Sequence, residues 1–261
     1  MVYGFSTVYS VFLWRRGFRK DDRINYLLLL GAFILHTTAM VKRGFSFDRC
    51  PVNNLYEAMT FVGWTIVAAY LAVGMFRRLR FLGAFAAPIL FGIGVFALVF
   101  PDKPHAGKPD FHADWGSIHG ALILLSCGAF GLGSVAGAMF LVQEHDLKSH
   151  NPRAVFARLP PIQRLEHVMS KLLVCGIVLL TAGLAFSPLL VREKESQGVR
   201  FHGDPILFYS AFIWAVYAAL LVMRWRFGQR GRRFAWGVVG SFAFLLLTFW
   251  GFLLLSPLHN P

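Results

Sequence analysis

Charge is what this chain has least of. Only 15% of its 261 residues are Asp, Glu, Lys or Arg, while 56% are hydrophobic. Soluble domains carry roughly a quarter charged residues. Together with a mean hydropathy of +0.56, the shortfall excludes an ordinary soluble enzyme and points to an integral membrane protein. Long polar stretches are missing too. The longest connection, residues 143–167, is shorter than the roughly 50 residues a small domain needs. Cysteine is scarce: Cys50, Cys127 and Cys175 show no CxxC spacing, which excludes a disulfide scaffold or a zinc finger. Cys127 and Cys175 lie in apolar runs, where a thiol acts as a small hydrophobe; Cys50 stands in a loop before Pro51. No secretory leader is expected, because the basic cluster follows the first apolar run instead of preceding it. Neither end carries a lipidation pattern.

What the chain has in abundance is apolar runs. They fall at 2–14, 25–41, 55–76, 81–100, 118–142, 168–191, 205–223 and 234–256. A helix needs about 20 apolar residues to span a bilayer, so the expected fold is all-α: a polytopic membrane bundle of about eight transmembrane helices, forming a single integral membrane domain over 1–261. The first run is the shortest, at roughly 20 Å of helix against a hydrocarbon core of about 30 Å.

Charge then orients the runs. Assigning the connections alternately to two sides puts 18 of the 26 Lys and Arg on one side, in "RRGFRKDDR", "RRLR", 143–167 and "RWRFGQRGRR" with Lys171. That side also holds five of the 13 acids, so it carries the whole net charge of +13. By the positive-inside rule it is cytoplasmic, and both termini are extracytoplasmic. The high pI therefore reports topology. A nucleic-acid partner would need basic and aromatic side chains interleaved on a soluble surface, and none is expected.

The nine histidines sort by the same topology. His145, His150 and His167 lie on the cytoplasmic side, and His36, His105, His112, His119, His202 and His259 on the outer side or in the outer half of a run. His36 lies about five residues, or roughly 7 Å, inside the outer end of the second run. His119 opens the fifth in "HADWGSIHGALILLSCGAF", behind Trp115, and His259 follows the eighth in "SPLHNP". The three are expected to share one depth zone. An ionisable group within a span is a functional candidate. No carboxylate accompanies His119 in an HExxH pattern, which argues against a zinc hydrolase. A haem suits the pattern better: its iron takes imidazoles from opposite sides, its ring wants an apolar aromatic slot, and its propionates want water and cations. His119 and His259, many of the 27 Phe, and Arg43, Arg49 or Arg200 are the candidates.

Two further stretches carry signal. "CPVNNLYEAMTFVGW" sets Asn53, Asn54 and Glu57 at the outer mouth of the third run, either as a binding group or as a helix start with an Asn cap and an acid in the first turn. In "HGDPILFYSAFIWAVYA", Asp204 can cap the seventh run with Pro205 at its first helical position.

In this order, His36, "PVNNLYEAMTFVGW", "WGSIHGALILLSCGAF", "DPILFYSAFIWAVYA", "RGRRFAW" and "LLLSPLH" resemble the cytochrome c assembly membrane proteins, the CcsA, ResC and HemX group, over nearly the whole chain. The resemblance implies a haem-binding protein of the inner (plasma) membrane. It would hold a non-covalent, b-type haem at the outer face for delivery or attachment to an apocytochrome c, with a membrane partner bearing a large external domain. His119 and His259 would be the axial ligands of the haem iron and His36 the first membrane-embedded histidine, with Trp115, Glu57, Asn54, Asp204 and His202 around the cofactor.

Such a chain is at most a subunit of a haem-attachment complex and supplies no catalytic residue of its own. Two departures bear on this. Synthase members carry a Trp-rich segment like WGxxWxWDP before the Asp-Pro, where this chain has "GVRFHGDP"; and a stretch like YLHxR, where "LLVMR" puts Val222 at the histidine position. Two alternatives stay open: a HemX-like membrane regulator of tetrapyrrole synthesis acting through the cytoplasmic side, and a haem-free transporter.

Overall fold

In the computed structural model, residues 2–15, 23–47, 55–99, 115–148, 161–196 and 205–255 are described; side chains are not described at 47, 55, 58, 78, 115–117, 190–191, 193–196, 205–206 and 249–255. These residues form eight α-helices: α1 (Val2–Arg15), α2 (Arg23–Phe47), α3 (Leu55–Gly74), α4 (Gly83–Leu98), α5 (Trp115–Lys148), α6 (Ile162–Ser196), α7 (Pro205–Arg226) and α8 (Arg232–Leu255). A 3-10 turn, Arg77–Leu82, leads into α4. The chain is thus an all-α, polytopic membrane bundle. Five stretches, Arg23–Ser46, Leu79–Leu98, Ile118–Lys148, Ile162–Leu189 and Leu207–Arg226, are long and apolar enough to cross a membrane. Large apolar side chains such as Phe5, Leu27, Phe45, Phe208 and Leu247 stand exposed, which suits contact with lipid and not with water.

Each helix covers one of the eight apolar runs. The main differences in extent are at α2, α5 and α6, which continue past the apolar run into polar sequence, to Phe47, to Lys148 and back to Ile162. Hydropathy marks where a helix leaves hydrocarbon, while backbone hydrogen bonding lets it run on. α7 starts at Pro205, the first-turn position where a missing N–H costs nothing.

Small and polar residues knit the helices, as expected where lipid supplies no hydrophobic drive between them. α1 lies against α4, with Gly4 under Phe91 and Trp14 on Phe85. It is tied to α2 by Ser6 Oγ, which donates to Asn25 Oδ1 at 2.7 Å, both groups being buried. α2 packs on α3, where Trp64 Nε1 donates to Thr37 Oγ1 at 2.9 Å and the Phe33 and Trp64 rings stack at 5.3 Å.

α5 is the central helix, touching α3, α6 and α8. Its glycines set the register of each contact. Across α5 and α6, Gly137 meets Met169, Gly133 meets Leu173, Phe130 meets Gly176 and Ile123 meets Gly183. Every step back along α5 is matched by a step forward along α6, so the two form one continuous antiparallel pair. Beside it, Gly131 and Gly137 meet Phe242 and Val239 of α8, while Phe130 stacks flat on Tyr217 of α7 at 3.7 Å. On the far side, a Cβ at Gly128 would stand 2.5 Å from the Thr65 carbonyl oxygen of α3.

Candidate functional site

The α5–α6 register delivers His119 to a defined partner. One turn above the Ile123–Gly183 contact, His119 Nδ1 lies 2.8 Å from the Gly183 carbonyl oxygen and 3.2 Å from Ser187 Oγ. A carbonyl only accepts, so Nδ1 carries the ring hydrogen, and the lone pair is left on Nε2. No described residue is bonded to Nε2, and the ring is half-buried. Gly183 makes the approach possible, because a Cβ there would stand 3.0 Å from Ile123 Cγ1 and 3.3 Å from Leu122 Cβ. Pro188, inside α6, lacks the N–H that would bond the Leu184 carbonyl at this level. Beside the imidazole, no described residue lies within 4 Å of a Cβ placed on Gly120, and Ile118 and Ala121 are exposed.

Three other helix ends reach the same level. Continued from the Gly131–Phe242 contact, the α5–α8 register puts His119 level with about residue 254, in the last turn of α8. Continued from the Phe130–Tyr217 stack, it puts His119 level with about residue 206, at the first turn of α7. Continued from Gly128 and Thr65, it puts His119 level with about residue 56, at the first turn of α3.

His36 is elsewhere. Its Nδ1 lies 2.9 Å from the Tyr3 hydroxyl of α1, a group that both gives and takes hydrogen bonds and so leaves the tautomer open. The neighbouring Thr37–Trp64 bond sets His36 level with Gly128 on α5, nine residues or roughly 13 Å deeper than His119. The shared depth zone expected for the two therefore does not hold. α2 runs six residues beyond its apolar run, to Phe47, so that an imidazole placed near the mouth by hydropathy sits in the middle of the helix.

Glu57 is 1% exposed and accepts from Arg43 Nε at 2.8 Å, with the Arg43 guanidinium 5.4 Å over the Tyr56 ring. It shares the level of His119 but not its face. Gly128, which meets α3, is nine residues or about two and a half turns from His119, on the opposite side of α5. The structure thus separates Glu57 and Arg43 from His119, and Arg43 is engaged by a carboxylate. Trp115 is the first residue of α5, described by its backbone alone. Asn54, His202, Asp204, His259, Arg49 and Arg200 lie outside the described residues.

Sequence reasoning missed Gly183 and Ser187 on α6 and Tyr3 on α1. Only the Ser-Pro pair at 187–188 offered a local hint, since no spacing rule links positions 64 residues apart. Among the described residues, no three His, Cys, Asp or Glu side chains gather as a cation site. Among the described residues, the donor set around His119 is a single imidazole with its second nitrogen anchored and open space alongside. Those features fit a haem iron, whose axial ligand is one neutral imidazole oriented through its other N–H.

Comparison with known proteins finds relatives over most of the chain. The profile of a family described as Cytochrome C assembly protein matches residues 52–259. Protein HemX of Brevibacillus brevis is 28% identical over 236 residues, covering 90% of this chain and 86% of that protein. Cytochrome c biogenesis protein CcsA of Synechococcus sp. (strain RCC307) is 26% identical over 267 residues, covering 92% and 85%. The CcsA of Gloeobacter violaceus is 24% identical over 273 residues, covering 84% and 80%.

Proposed function

Because the chain belongs to the cytochrome c assembly protein family, we propose that it holds a non-covalent haem at the extracytoplasmic mouth of its bundle, where His119 and His259 would be the residues that hold its iron, for delivery or attachment to an apocytochrome c. The observation that carries this reading is the contact of His119 Nδ1 with the Gly183 carbonyl at 2.8 Å. It presents Nε2 as a ready ligand, the orienting role that outer partners of metal-bound histidines play. The second ligand is within reach along the chain. α8 ends at Leu255, level with His119, and the four further residues to His259 span at most about 14 Å. The α7 N-terminus at the same level offers positive dipole density to propionates, and exposed Phe208 and Phe212 offer apolar surface.

When bound, haem supplies the ring whose vinyl groups are joined to protein thiols. The residues of this chain bind it, orient it and screen its iron. His36, deeper on α2 beside Tyr3, is a second imidazole tier facing the membrane interior. Val222 is exposed on α7 and offers no imidazole there. A partner with a large external domain would present the apocytochrome, and the protein sits as a single integral domain in the plasma membrane. HemX-like control of tetrapyrrole synthesis is favoured by one feature, the lack of tryptophan in "GVRFHGDP". A deletion strain that matures c-type cytochromes normally but mis-sets haem precursors would select it.

The test is an absorbance spectrum of the detergent-purified protein, oxidised and reduced. A low-spin Soret band is expected. It should weaken in His119→Ala and in His259→Ala, and recover in His119→Ala when imidazole is added. Full-strength absorbance in both variants would remove these residues as ligands.

A further inference from the structure

The α7–α8 turn, at the opposite end of the bundle, has no part in haem binding. It is tied together by one carboxylate. Glu166 Oε1 of α6 accepts from Arg224 Nη1 at 2.8 Å and from the Gly231 N–H at 3.1 Å, so both ends of the link are tied to a single oxygen. The Arg224 guanidinium also lies 4.8 Å over the Phe234 ring, and the Gln229 N–H closes on the Met223 carbonyl at 3.1 Å. Gly228 and Gly231 take φ of 61° and 73°, the left-handed region that favours glycine.

Among the described residues, this link leaves a cluster of charges unmatched. Arg226, Arg230 and Arg233 are exposed and pair with no described residue. Arg232 approaches Glu144 only at 3.9 Å, and that carboxylate is already held by Lys148 at 2.7 Å. Trp225, Phe227 and Trp236 flank the arginines and are 65%, 70% and 55% exposed. Aromatic rings of this kind seat at the level of lipid headgroups, where guanidinium groups fork onto phosphate oxygens. Because the turn is already fixed, little ordering cost opposes binding.

We propose that this turn is a binding site for the phosphate headgroups of anionic phospholipids in the leaflet on the basic face. Arg226, Arg230 and Arg233 are the phosphate ligands, and Trp225, Phe227 and Trp236 seat the turn at the interface. The site is independent of haem and stands whether or not His119 binds iron.

Native mass spectrometry of the full-length protein in neutral detergent tests it, with phosphatidylglycerol, phosphatidylcholine and inorganic phosphate as probes. Phosphatidylglycerol should be retained well above phosphatidylcholine, and inorganic phosphate should not displace it. Arg230→Gln with Arg233→Gln should weaken that retention about thirtyfold, roughly fivefold for each arginine taken from the headgroup surface. Arg15→Gln with Arg77→Gln removes the same charge from the same face but none from the turn, and should weaken retention clearly less than the turn variant does. Circular dichroism verifies that both variants keep their helices. Equal weakening in the two double variants would overturn the proposal in favour of general attraction between charges. Unchanged retention in both would overturn it too and leave the turn to a protein partner, and displacement by inorganic phosphate would overturn the lipid assignment.

Discussion

Gly183→Val is the sharpest perturbation of the proposed haem site, because it touches neither ligand nor haem. A Cβ at this position stands 3.0 Å from Ile123 Cγ1, 3.3 Å from Leu122 Cβ and 3.4 Å from the Ile123 nitrogen. Comfortable carbon contacts are about 3.5–4.0 Å, so alanine asks α5 and α6 to part by about 0.5 Å and the two valine methyls by about 1 Å. The His119 Nδ1–Gly183 distance of 2.8 Å then lengthens past the roughly 3.2 Å limit of an N–H···O bond. Overpacking itself costs about 1–3 kcal/mol, but the functional effect is separate. Once Nδ1 is released, the ring no longer favours the tautomer that exposes Nε2, and loss of such an outer partner costs about 10–100-fold in metal affinity.

Gly137→Val is the matched control. A Cβ there meets Val239 Cγ2 at 3.1 Å and Met169 Sδ at 3.2 Å, a similar crowding about 21 Å further along α5. Thermal unfolding should fall in both variants. Haem titrated into the detergent-purified protein, followed at the Soret band, should bind at least about tenfold more weakly in Gly183→Val alone. Wild-type haem affinity in Gly183→Val, with stability lowered as in the control, would refute the reasoning.

Other consequences follow from the packing. Glu57→Gln leaves the Arg43 charge without its buried partner, whose side chain is 1% exposed, and should cost about 3–5 kcal/mol in thermal unfolding. Adding Arg43→Met should restore most of that loss, and no recovery would show that the pair is not the cause. Gly128→Ala drives a Cβ to 2.5 Å from the Thr65 carbonyl oxygen, a backbone atom that has no rotamer to escape by. Size-exclusion profiles should show loss of the monodisperse species, whereas Gly120→Ala, with open space around it, should elute as wild type.

How far the site could be read in advance differs residue by residue. His119 was identifiable because an imidazole at the mouth of an apolar run is costly enough to need a reason. The start of α7 at Pro205 was equally legible, since a first-turn proline follows from its missing N–H. The level of His36 relative to His119 was not legible, because it follows from the α2–α3 and α3–α5 registers and not from the ends of the apolar runs. The Arg43–Glu57 pair was half legible: a buried carboxylate demands a partner, but sequence did not say which of several arginines supplies it. Gly183 and Ser187 were invisible, for helix periodicity shows which residues share a face and never which residue of another helix lies opposite.

Composition and apolar runs were enough to make this chain a multi-helix membrane protein, because the cost of placing charge and bare backbone in hydrocarbon is local and can be read along the chain. What needed the folded molecule was depth and pairing. Whether two histidines stand at one level, which carbonyl anchors an imidazole, and which arginines are left without a carboxylate all depend on the register between helices. Glycines far apart in the chain set that register, by letting particular backbones meet.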